Sequence, residues 1–322
     1  MTITLKEFNS AIETISPFVL KTKLENYKNN IFLKRESSQV TGSFKWRGVL
    51  YSVMNIFQQL KDIEINESYP YYLVTQSTGN HGIALIYAVQ VVKKYYCKKY
   101  PIEEKKWKNI YSSIFSNIHI TQSKLDKITK LLEKDNKSIF DYSSKSYGQA
   151  LKKREFFLQN HQGKYMSHGG KDILTGYGSL AQEIMQQVDS SKTVTMITAI
   201  GAGGPIGAGE YFSYFKNFKL VVSQTDHFNA FVRSLQSNKL ECNNSNNSPG
   251  LSDGIAVDKP EEYALKTAIR LNIRGVTVKD QDVEKLQKST GLGGSTCIAL
   301  AGLEKISTNS EIIIILDCEG NH

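Results

Sequence analysis

The sequence predicts an α/β fold in which mostly parallel strands alternate with helices, and two features of the chain lead to this prediction. Short apolar runs typical of buried strands alternate with longer segments of helical periodicity. Two of those strands, at 71–75 and 194–200, end in a turn that opens the next helix. Units of this kind favour a parallel, doubly wound sheet, which binds ligands at the carboxyl ends of its strands.

The first half of the chain begins with a predicted amphipathic helix over 3–20, whose apolar residues recur at helical spacing. The strands predicted after it are 31–34, 71–75, 118–121 and 138–142, and the helices are 43–57, 83–92, 124–133 and 147–159. Thr41-Gly42 is the turn signal before the second helix. Residues 93–117 follow no period and are rich in lysine and aromatic residues, so we interpret them as a basic insertion.

The second half repeats the alternation of strands and helices. The predicted helices are 175–188, 205–215, 261–271, 280–289 and 297–306, and the strands are 194–200, 220–224, 276–278 and 311–316. Residues 239–253 are rich in Asn and Ser and predict a loop. The longest apolar run, Ile312–Leu316, is a buried strand and far shorter than the roughly 18 residues of a membrane span.

Composition and charge are those of an ordinary globular protein. Hydrophobic residues make up 40% of the chain and charged residues 22%. Lysine and arginine outnumber aspartate and glutamate by 40 to 31, which gives a net charge of +9. A polyanion partner is one explanation of this excess, but a lysine-rich surface explains it more simply, because net charge reports on solubility rather than on fold.

The cysteines and the N-terminus indicate a reducing, cytoplasmic location. Cys97, Cys242, Cys297 and Cys318 are far apart and none belongs to a CxxC pair, so we expect neither a disulfide framework nor a zinc site. The first residues contain no apolar run typical of a signal peptide, and we expect no membrane association.

A lysine between two aromatic residues stands at the beginning of the second predicted helix. In the motif Thr41-Gly42-Ser43-Phe44-Lys45-Trp46-Arg47-Gly48, Phe44 and Trp46 flank Lys45. Partial burial lowers the pKa of an ammonium group, and an uncharged lysine amine attacks an aldehyde to form a Schiff base. Taken by itself, the same lysine also suits the exposed face of an amphipathic helix.

Two strand-to-helix turns are suited to binding anions through backbone N–H groups. The first, Gln76-Ser77-Thr78-Gly79-Asn80-His81-Gly82, suits a carboxylate, although Ser, Thr and Asn are also common helix caps. The second, Gly201-Ala202-Gly203-Gly204, suits a phosphate. It matches neither the dinucleotide fingerprint nor the P-loop, and a tight turn without a ligand is the alternative.

The chain ends in Leu316-Asp317-Cys318-Glu319-Gly320-Asn321-His322, where a buried strand gives way to small polar residues. Such a segment suits a thiol or hydroxyl placed beside a ring nitrogen. Taken by itself, it is equally typical of a frayed terminus.

Together the four segments resemble the fold-type II pyridoxal-phosphate enzymes, in the branch of serine/threonine dehydratases (ammonia-lyases) and serine racemases. The resemblance runs over most of the chain and is most specific around Lys45. It implies two domains of the tryptophan synthase beta subunit type, with parallel-rich twisted sheets flanked by helices. The large domain would span 1–49 and 151–322, and the small domain 50–150 would contain the insertion at about 93–117. The resemblance also implies a cofactor in the cleft between the domains and a homodimer.

The same resemblance implies roles for particular residues. Pyridoxal 5′-phosphate would be carried by Lys45, which then acts as the base at the substrate Cα. The implied cofactor-binding residues are Lys45, Phe44, Asn80 at the 3′-oxygen, Gly201, Ala202, Gly203 and Gly204 at the phosphate, and Cys318 at the pyridine nitrogen. The implied substrate-binding residues are Ser77, Thr78, Gly79, Asn80 and His81.

Four departures from the pattern qualify these roles. Thr78 stands where racemases carry Ser and dehydratases often carry Ala, and its hydroxyl suits proton transfer, so we count it as catalytic but favour elimination. Pro205 follows the phosphate turn and lacks an N–H group. Gln224 and Ala230 stand where the branch has acidic ligands of a divalent cation, so we expect no metal site. Residues 293–296 replace a Glu-Pro-x-Ser/Thr stretch, so an acidic residue near the cofactor is missing.

We therefore predict a lyase that eliminates water and then ammonia from serine or threonine in amino acid metabolism. A serine racemase, or another β-elimination or replacement enzyme on the same scaffold, is the alternative. An alternative of another class is a homologue that binds the cofactor but has lost catalysis. The lysines and aromatic residues of 93–108 also allow polyanion binding, although we do not expect a nucleic-acid partner.

Overall fold

A computed structural model describes residues 2–133, 135–243 and 254–320. Its strands are β1 (Leu24–Lys28), β2 (Ile31–Lys34), β3 (Tyr71–Gln76), β4 (Ile110–Asn117), β5 (Ile139–Ser144), β6 (Gly163–Tyr165), β7 (Val194–Ala199), β8 (Phe218–Thr225), β9 (Arg274–Val278) and β10 (Ile312–Leu316). Its helices are α1 (Leu5–Ile15), α2 (Lys45–Gln59), α3 (Asn80–Lys99), α4 (Glu104–Lys108), α5 (Gln122–Leu132), α6 (Tyr147–Asn160), α7 (Lys171–Gln187), α8 (Ile206–Phe212), α9 (Ala230–Ser237), α10 (Glu262–Arg270), α11 (Asp280–Thr290) and α12 (Gly294–Leu303).

The chain divides into two compact units. The first contains the residues up to Gly48 and from His168 onward, and the second is Val49–Ser167. Each unit is built on a sheet of its own.

The sheet of the first unit has six strands in the order β1-β2-β10-β7-β8-β9. β1 runs antiparallel to β2, and the other neighbouring pairs are parallel. Leu33, Ile197 and Ile315 are buried in one core cluster with Ala299 of α12. β10 consists of four isoleucines and a leucine and lies between β2 and β7, which is why its apolar run is continuous rather than alternating.

The sheet of the second unit has four parallel strands in the order β5-β4-β3-β6. One face is covered by α3 and α5, whose residues Ile83 and Ile128 pack with Ile114 of β4. The other face is covered by α6, whose Phe157 packs with Tyr72 of β3. The expected domain boundary at 150 differs from this division of the chain. The reason is β6, which pairs with β3 and so keeps the residues up to Ser167 in the second unit.

Residues 93–117, interpreted as a basic insertion without periodicity, consist largely of regular helix and strand. Residues up to Lys99 complete α3, and all eight residues of β4 are buried. The indole of Trp107 is fully buried and lies 4.9 Å from the ring of Tyr96 and 5.8 Å from that of Phe57, measured between centroids. These aromatic residues belong to the hydrophobic core of the second unit. The lysines between them interrupt the apolar pattern, so the sequence shows no helical or strand period.

The remaining differences are local. β1, β6, α4 and α9 are absent from the predicted elements, and the strand expected at 118–121 is replaced by β4 immediately before it. The loop expected at 239–253 lies partly outside the described residues. No helix in the described ranges combines the length and the apolar character that crossing a membrane requires.

Candidate active site

The lysine motif and the end of the chain are joined by backbone hydrogen bonds in the first unit. Lys45 is the first residue of α2. The N–H of Phe44 donates to the carbonyl of Cys318 at 3.1 Å, and Ser43 forms an isolated antiparallel bridge with Glu319. The segment after β10 is therefore fixed along the motif rather than frayed.

Tyr177 connects the lysine motif with the glycine turn. Its ring lies 5.1 Å from that of Phe44, measured between centroids. A Cβ atom added to Gly48 would lie 2.7 Å from the Tyr177 Cζ, and one added to Gly204 would lie 3.0 Å from its Cε2. Burial raises the pKa of Tyr177, so the phenol is neutral and acts as a packing surface. Both glycines are required by this close approach.

The glycine turn Gly201–Gly204 forms a cradle of backbone. Gly203 has a φ of 137°, in the left-handed region that favours glycine, and a Cβ there would overlap the Cβ of Ala264. A Cβ on Gly201 would lie 3.2 Å from the Cα of Ile255. Among the described residues, no acceptor bonds the backbone N–H groups of the four residues. Consecutive free N–H groups of this kind form an anion-binding nest.

Pro205 separates the turn from α8. Its φ of −58° is compatible with the helix that begins at Ile206, so the observed helix is shorter than the predicted 205–215. Since proline has no N–H, the cradle ends at Gly204 and contributes one donor fewer than an ordinary residue at 205 would.

The thiol of Cys318 lies at the carboxyl end of the first sheet. It is 3% exposed, and its Sγ is 3.5 Å from the Oγ1 of Thr198 at the end of β7. Burial raises the pKa of Cys318 to about 12, the charge of Glu319 acts in the same direction, and Lys45 acts in the opposite one. Cys318 is therefore a neutral thiol at neutral pH, close enough to Lys45 to sense its charge.

Two hydroxyls of the lysine motif are suited to a polar ligand. Thr41 Oγ1 and Ser43 Oγ are buried, and within the described ranges neither has a hydrogen-bond partner. Unpaired buried hydroxyls are uncommon in folded proteins. Together with a lysine amine and a nest of free N–H groups, they fit a phosphorylated aldehyde of the kind that the sequence resemblance implies.

A buried group of charges holds the first turn of α2. Arg47 is 1% exposed and donates to both carboxylate oxygens of Glu36 at 2.7 Å, and to Glu183 at 2.9 Å. Burial opposes the charge of Arg47, but the two carboxylates outweigh it and raise the pKa of the guanidinium. Lys34 completes the group through an ion pair with Glu183. No role could be predicted for these residues, because the partners lie far apart along the chain.

The second turn, Ser77–His81, lies in the second unit and is stabilised from within. Ser77 Oγ accepts hydrogen bonds from the N–H groups of Gly79 at 3.2 Å and Gly82 at 3.1 Å. Asn80 is the first residue of α3 and is buried. His81 is buried as well, with its Nε2 3.3 Å from the carbonyl of Met166. Thr78, at the tip, is half-buried.

One cluster of metal-ligating side chains was not among the predicted sites. Asp226, His227 and Asp280 bring three ligand atoms within 4.8 Å of one another, and their side chains are largely exposed. Gln224 is engaged elsewhere, since its side chain donates to the Ile200 carbonyl at 3.0 Å and accepts from the Val232 N–H at 2.9 Å. The expected absence of a metal site stays a prediction.

Comparisons with known proteins bear on the fold and the family of the chain. A family model described as pyridoxal-phosphate dependent enzyme matches residues 11–317. L-threonine ammonia-lyase of Thermotoga maritima is 24% identical, over 99% of this chain and 76% of that protein. Serine racemase of Dictyostelium discoideum is 23% identical, over 79% of this chain and 72% of that protein. The structure of maize serine racemase superimposes with a TM-score of 0.77 and 18% identity, covering 100% of this chain and 94% of that chain. The likeness confirms the predicted fold.

Proposed function

The chain belongs to the family of pyridoxal-phosphate dependent enzymes, and we propose that it is a serine/threonine ammonia-lyase giving a 2-oxo acid and ammonia. One observation carries the proposal. In the first unit Lys45, Cys318 and the free N–H groups of Gly201–Gly204 are connected through the Phe44–Cys318 hydrogen bond and the ring of Tyr177. Relatives named as threonine ammonia-lyase or dehydratase support the reaction class.

The residues of the first unit bind the cofactor and move a proton. The amine of Lys45 would hold the cofactor through its aldehyde, and as a free amine it would take the proton from the substrate Cα. The N–H groups of Gly201–Gly204 bind the phosphate, and Phe44 packs beside the ring. When bound, the cofactor supplies the electron withdrawal that makes the Cα proton acidic. A neutral thiol at Cys318 would leave the ring nitrogen without a carboxylate partner. This suits β-elimination, in which the carbanion is short-lived, better than transamination.

For the second unit we propose that Ser77–His81 binds the substrate carboxylate. Asn80 donates to the cofactor oxygen, and the Thr78 hydroxyl moves a proton during loss of the substrate hydroxyl. A serine racemase is the second candidate, because the hydroxyl of Thr78 is equally suited to deliver a proton to Cα and because the Dictyostelium relative carries that name. We also propose a homodimer, as the family resemblance implies, and a cytoplasmic location, as the sequence indicates.

The test is the Lys45→Ala variant of the purified protein. The wild type is expected to bind pyridoxal phosphate with a visible absorbance band and to release 2-oxo acid and ammonia from L-serine or L-threonine. Lys45→Ala is expected to lose the band and to lower turnover by about 10³-fold or more, because the covalent attachment and the base are removed together.

Lys106→Ala is the matched control. It removes a lysine in a similar setting, because Lys106 Nζ lies 5.3 Å from the ring centroid of Trp107 and Lys45 Nζ lies 5.3 Å from that of Phe44. The control is expected to keep band and turnover. A Lys45→Ala protein that retains both would overturn the assignment. D-serine formed without 2-oxo acid would favour the racemase, and a band unchanged by either amino acid would favour a catalytically inactive homologue.

A further inference from the structure

A buried arginine lies at the carboxyl edge of the second sheet. Arg154 belongs to α6 and is 9% exposed. Its Nη1 donates to the Oε1 of Gln76 at 2.6 Å, and its guanidinium lies over the ring of Tyr165, with 4.1 Å between the Cζ atom and the ring centroid. Gln76 is the last residue of β3, Tyr165 is the last residue of β6, and the two strands are parallel. The arginine is therefore held at the edge where sheets of this kind bind their ligands.

The side-chain amide of Gln76 is oriented by this arginine. Because its Oε1 accepts from Arg154, its Nε2 faces the other way and donates to the hydroxyls of Tyr147 at 3.0 Å and Tyr165 at 3.1 Å. Tyr147 and Arg154 lie about two turns apart on α6 and so on one face of that helix. Gln76 is buried, and its amide is bound by α6 and β6 together.

The residue after Gln76 begins the turn Ser77–His81, for which we propose binding of the substrate carboxylate. The N–H of Ser77 donates to the carbonyl of Phe115 on the neighbouring strand β4 at 2.9 Å. The chain is thus held at two consecutive positions where it enters the turn, by a side chain at Gln76 and by the backbone at Ser77. Arg154 contributes the charged partner of the first.

The positive charge of Arg154 is only partly neutralised. Its Nη2 lies 3.2 Å from the carboxylate of Glu155, a side chain that is 53% exposed. An ion pair with an exposed partner is weak, because water screens it. The Nε of Arg154 is buried and has no acceptor within the described ranges. A cation of this kind favours an anion bound nearby, and the turn Ser77–His81 begins at the residue next to its main partner.

We propose that Arg154 is a positioning residue for the substrate, which fixes the start of the turn through Gln76 and strengthens the binding of the substrate carboxylate through its charge. The inference rests on the proposed function and on the role given there to Ser77–His81. Arg154 has no part in holding the cofactor, and the proton at the substrate Cα stays with Lys45. Substrate affinity, rather than kcat or cofactor affinity, is therefore the quantity that responds to this arginine.

The test compares the cofactor-loaded wild type with Arg154→Met, using L-alanine and L-alaninamide as probes. Neither probe has a β-hydroxyl to eliminate, and only L-alanine has a carboxylate. Binding is measured by the change in visible absorbance, which requires no turnover. Arg154→Met is expected to weaken L-alanine binding by about 10-fold and to raise KM by a similar factor, because a charge-assisted hydrogen bond and a cation are lost together. The affinity for L-alaninamide, kcat and the affinity for pyridoxal phosphate are expected to stay unchanged.

Two further variants complete the test. Arg154→Lys keeps the charge but not the planar fork of donors, and it is expected to lose less affinity for L-alanine than Arg154→Met. Lys153→Met is the matched control and should change neither affinity, because it removes the neighbouring cation of the same helix, which pairs with Asp141 at 2.8 Å.

An unchanged affinity for L-alanine in a folded Arg154→Met protein overturns the inference. An equal loss for both probes overturns it as well, because it indicates a general loss of structure. If Arg154→Met does not fold, an Arg154→Lys protein with the wild-type affinity for L-alanine has the same consequence. A wild type without a visible band, or a Lys45→Ala protein that keeps one, instead refutes the proposed function, so the two failures are distinguishable.

Discussion

The two strand-to-helix turns of the molecule share one local layout and are stabilised in different ways. Gly201–Gly204 after β7 is shaped by side chains and backbone from elsewhere in the first unit, notably Ile255, Ala264 and Tyr177. The turn after β3 also has outside neighbours, since a Cβ on Gly79 would lie 2.4 Å from the Lys124 Cδ. It is in addition stabilised from within, because Ser77 Oγ accepts from the N–H groups of both Gly79 and Gly82.

This difference decides what each turn has left for a ligand. In the glycine turn, the missing side chains allow neighbouring groups to pack closely, and the backbone N–H groups have no acceptor within the described ranges. Such a set of donors suits an anion with several oxygens, such as a phosphate. In the serine turn, two N–H groups already donate to the hydroxyl of Ser77. The smaller set of donors that remains suits a carboxylate. The same sequence signal, a small-residue turn before a helix, therefore predicts an anion site but not which anion.

The largest expected effect comes from filling the glycine cradle. Gly203→Ala adds a Cβ at a left-handed φ and against Ala264, and it is expected to weaken cofactor binding by about 100-fold, or about 3 kcal/mol. Titration of the cofactor-free protein with pyridoxal phosphate measures this. Gly291→Ala is the control, since Gly291 has a φ of 68° with open space around it. Wild-type affinity in Gly203→Ala would remove the distinction between the turns.

An intermediate effect is expected from the serine turn. Ser77→Ala leaves two N–H groups without their acceptor and is expected to raise KM for the amino acid by about 10-fold, or about 1.4 kcal/mol, while cofactor affinity stays unchanged. Steady-state kinetics and a cofactor titration separate the two quantities. Ser146→Ala is the matched control in the same unit, because Ser146 caps α6 by accepting from the Gln149 N–H at 3.3 Å. Equal losses of substrate and cofactor affinity would contradict separate roles for the turns.

The smallest expected effect is a gain. Pro205→Ala gives the end of the glycine turn a further N–H group at a backbone conformation that alanine adopts freely, and it is expected to tighten cofactor binding by about 3-fold. The same titration measures it, with Pro17→Ala as the control for losing a proline at a helix start. Weaker binding in Pro205→Ala would contradict the prediction and show that the proline contributes to cofactor binding by holding the turn in shape.

Much of the first unit could be predicted from the sequence, because its signals are local. The run Ile312–Leu316 is too apolar and too short to be anything but a buried strand, and Gly201–Gly204 follows a strand of the same kind. The placement of Cys318 beside Lys45 could not be read from spacing. It depends on the pairing of β10 with β2 and on the Phe44–Cys318 hydrogen bond, which join parts of the chain that are remote in sequence.

The second unit was harder to predict, and β4 shows why. Its sequence, Ile-Tyr-Ser-Ser-Ile-Phe-Ser-Asn, contains three serines and neither alternates nor forms an apolar run. Of these serines, Ser112 donates to Ser138 Oγ at 3.1 Å, whereas the hydroxyls of Ser113 and Ser116 are buried without a hydrogen-bond partner among the described residues. A fully buried strand of this composition follows neither the alternating nor the continuous apolar pattern by which strands are predicted from a sequence.

The burial of Trp107 has a consequence for experiments on folding. The chain has two tryptophans, and the other, Trp46, lies in the first unit with its indole N–H donating to the Phe18 carbonyl at 2.9 Å. Both are at most 1% exposed. Each unit therefore carries one tryptophan, and a pair of Trp→Phe variants would report the unfolding of the two units separately. If Lys45 carries the cofactor as proposed, cofactor binding would in addition quench the emission of the adjacent Trp46.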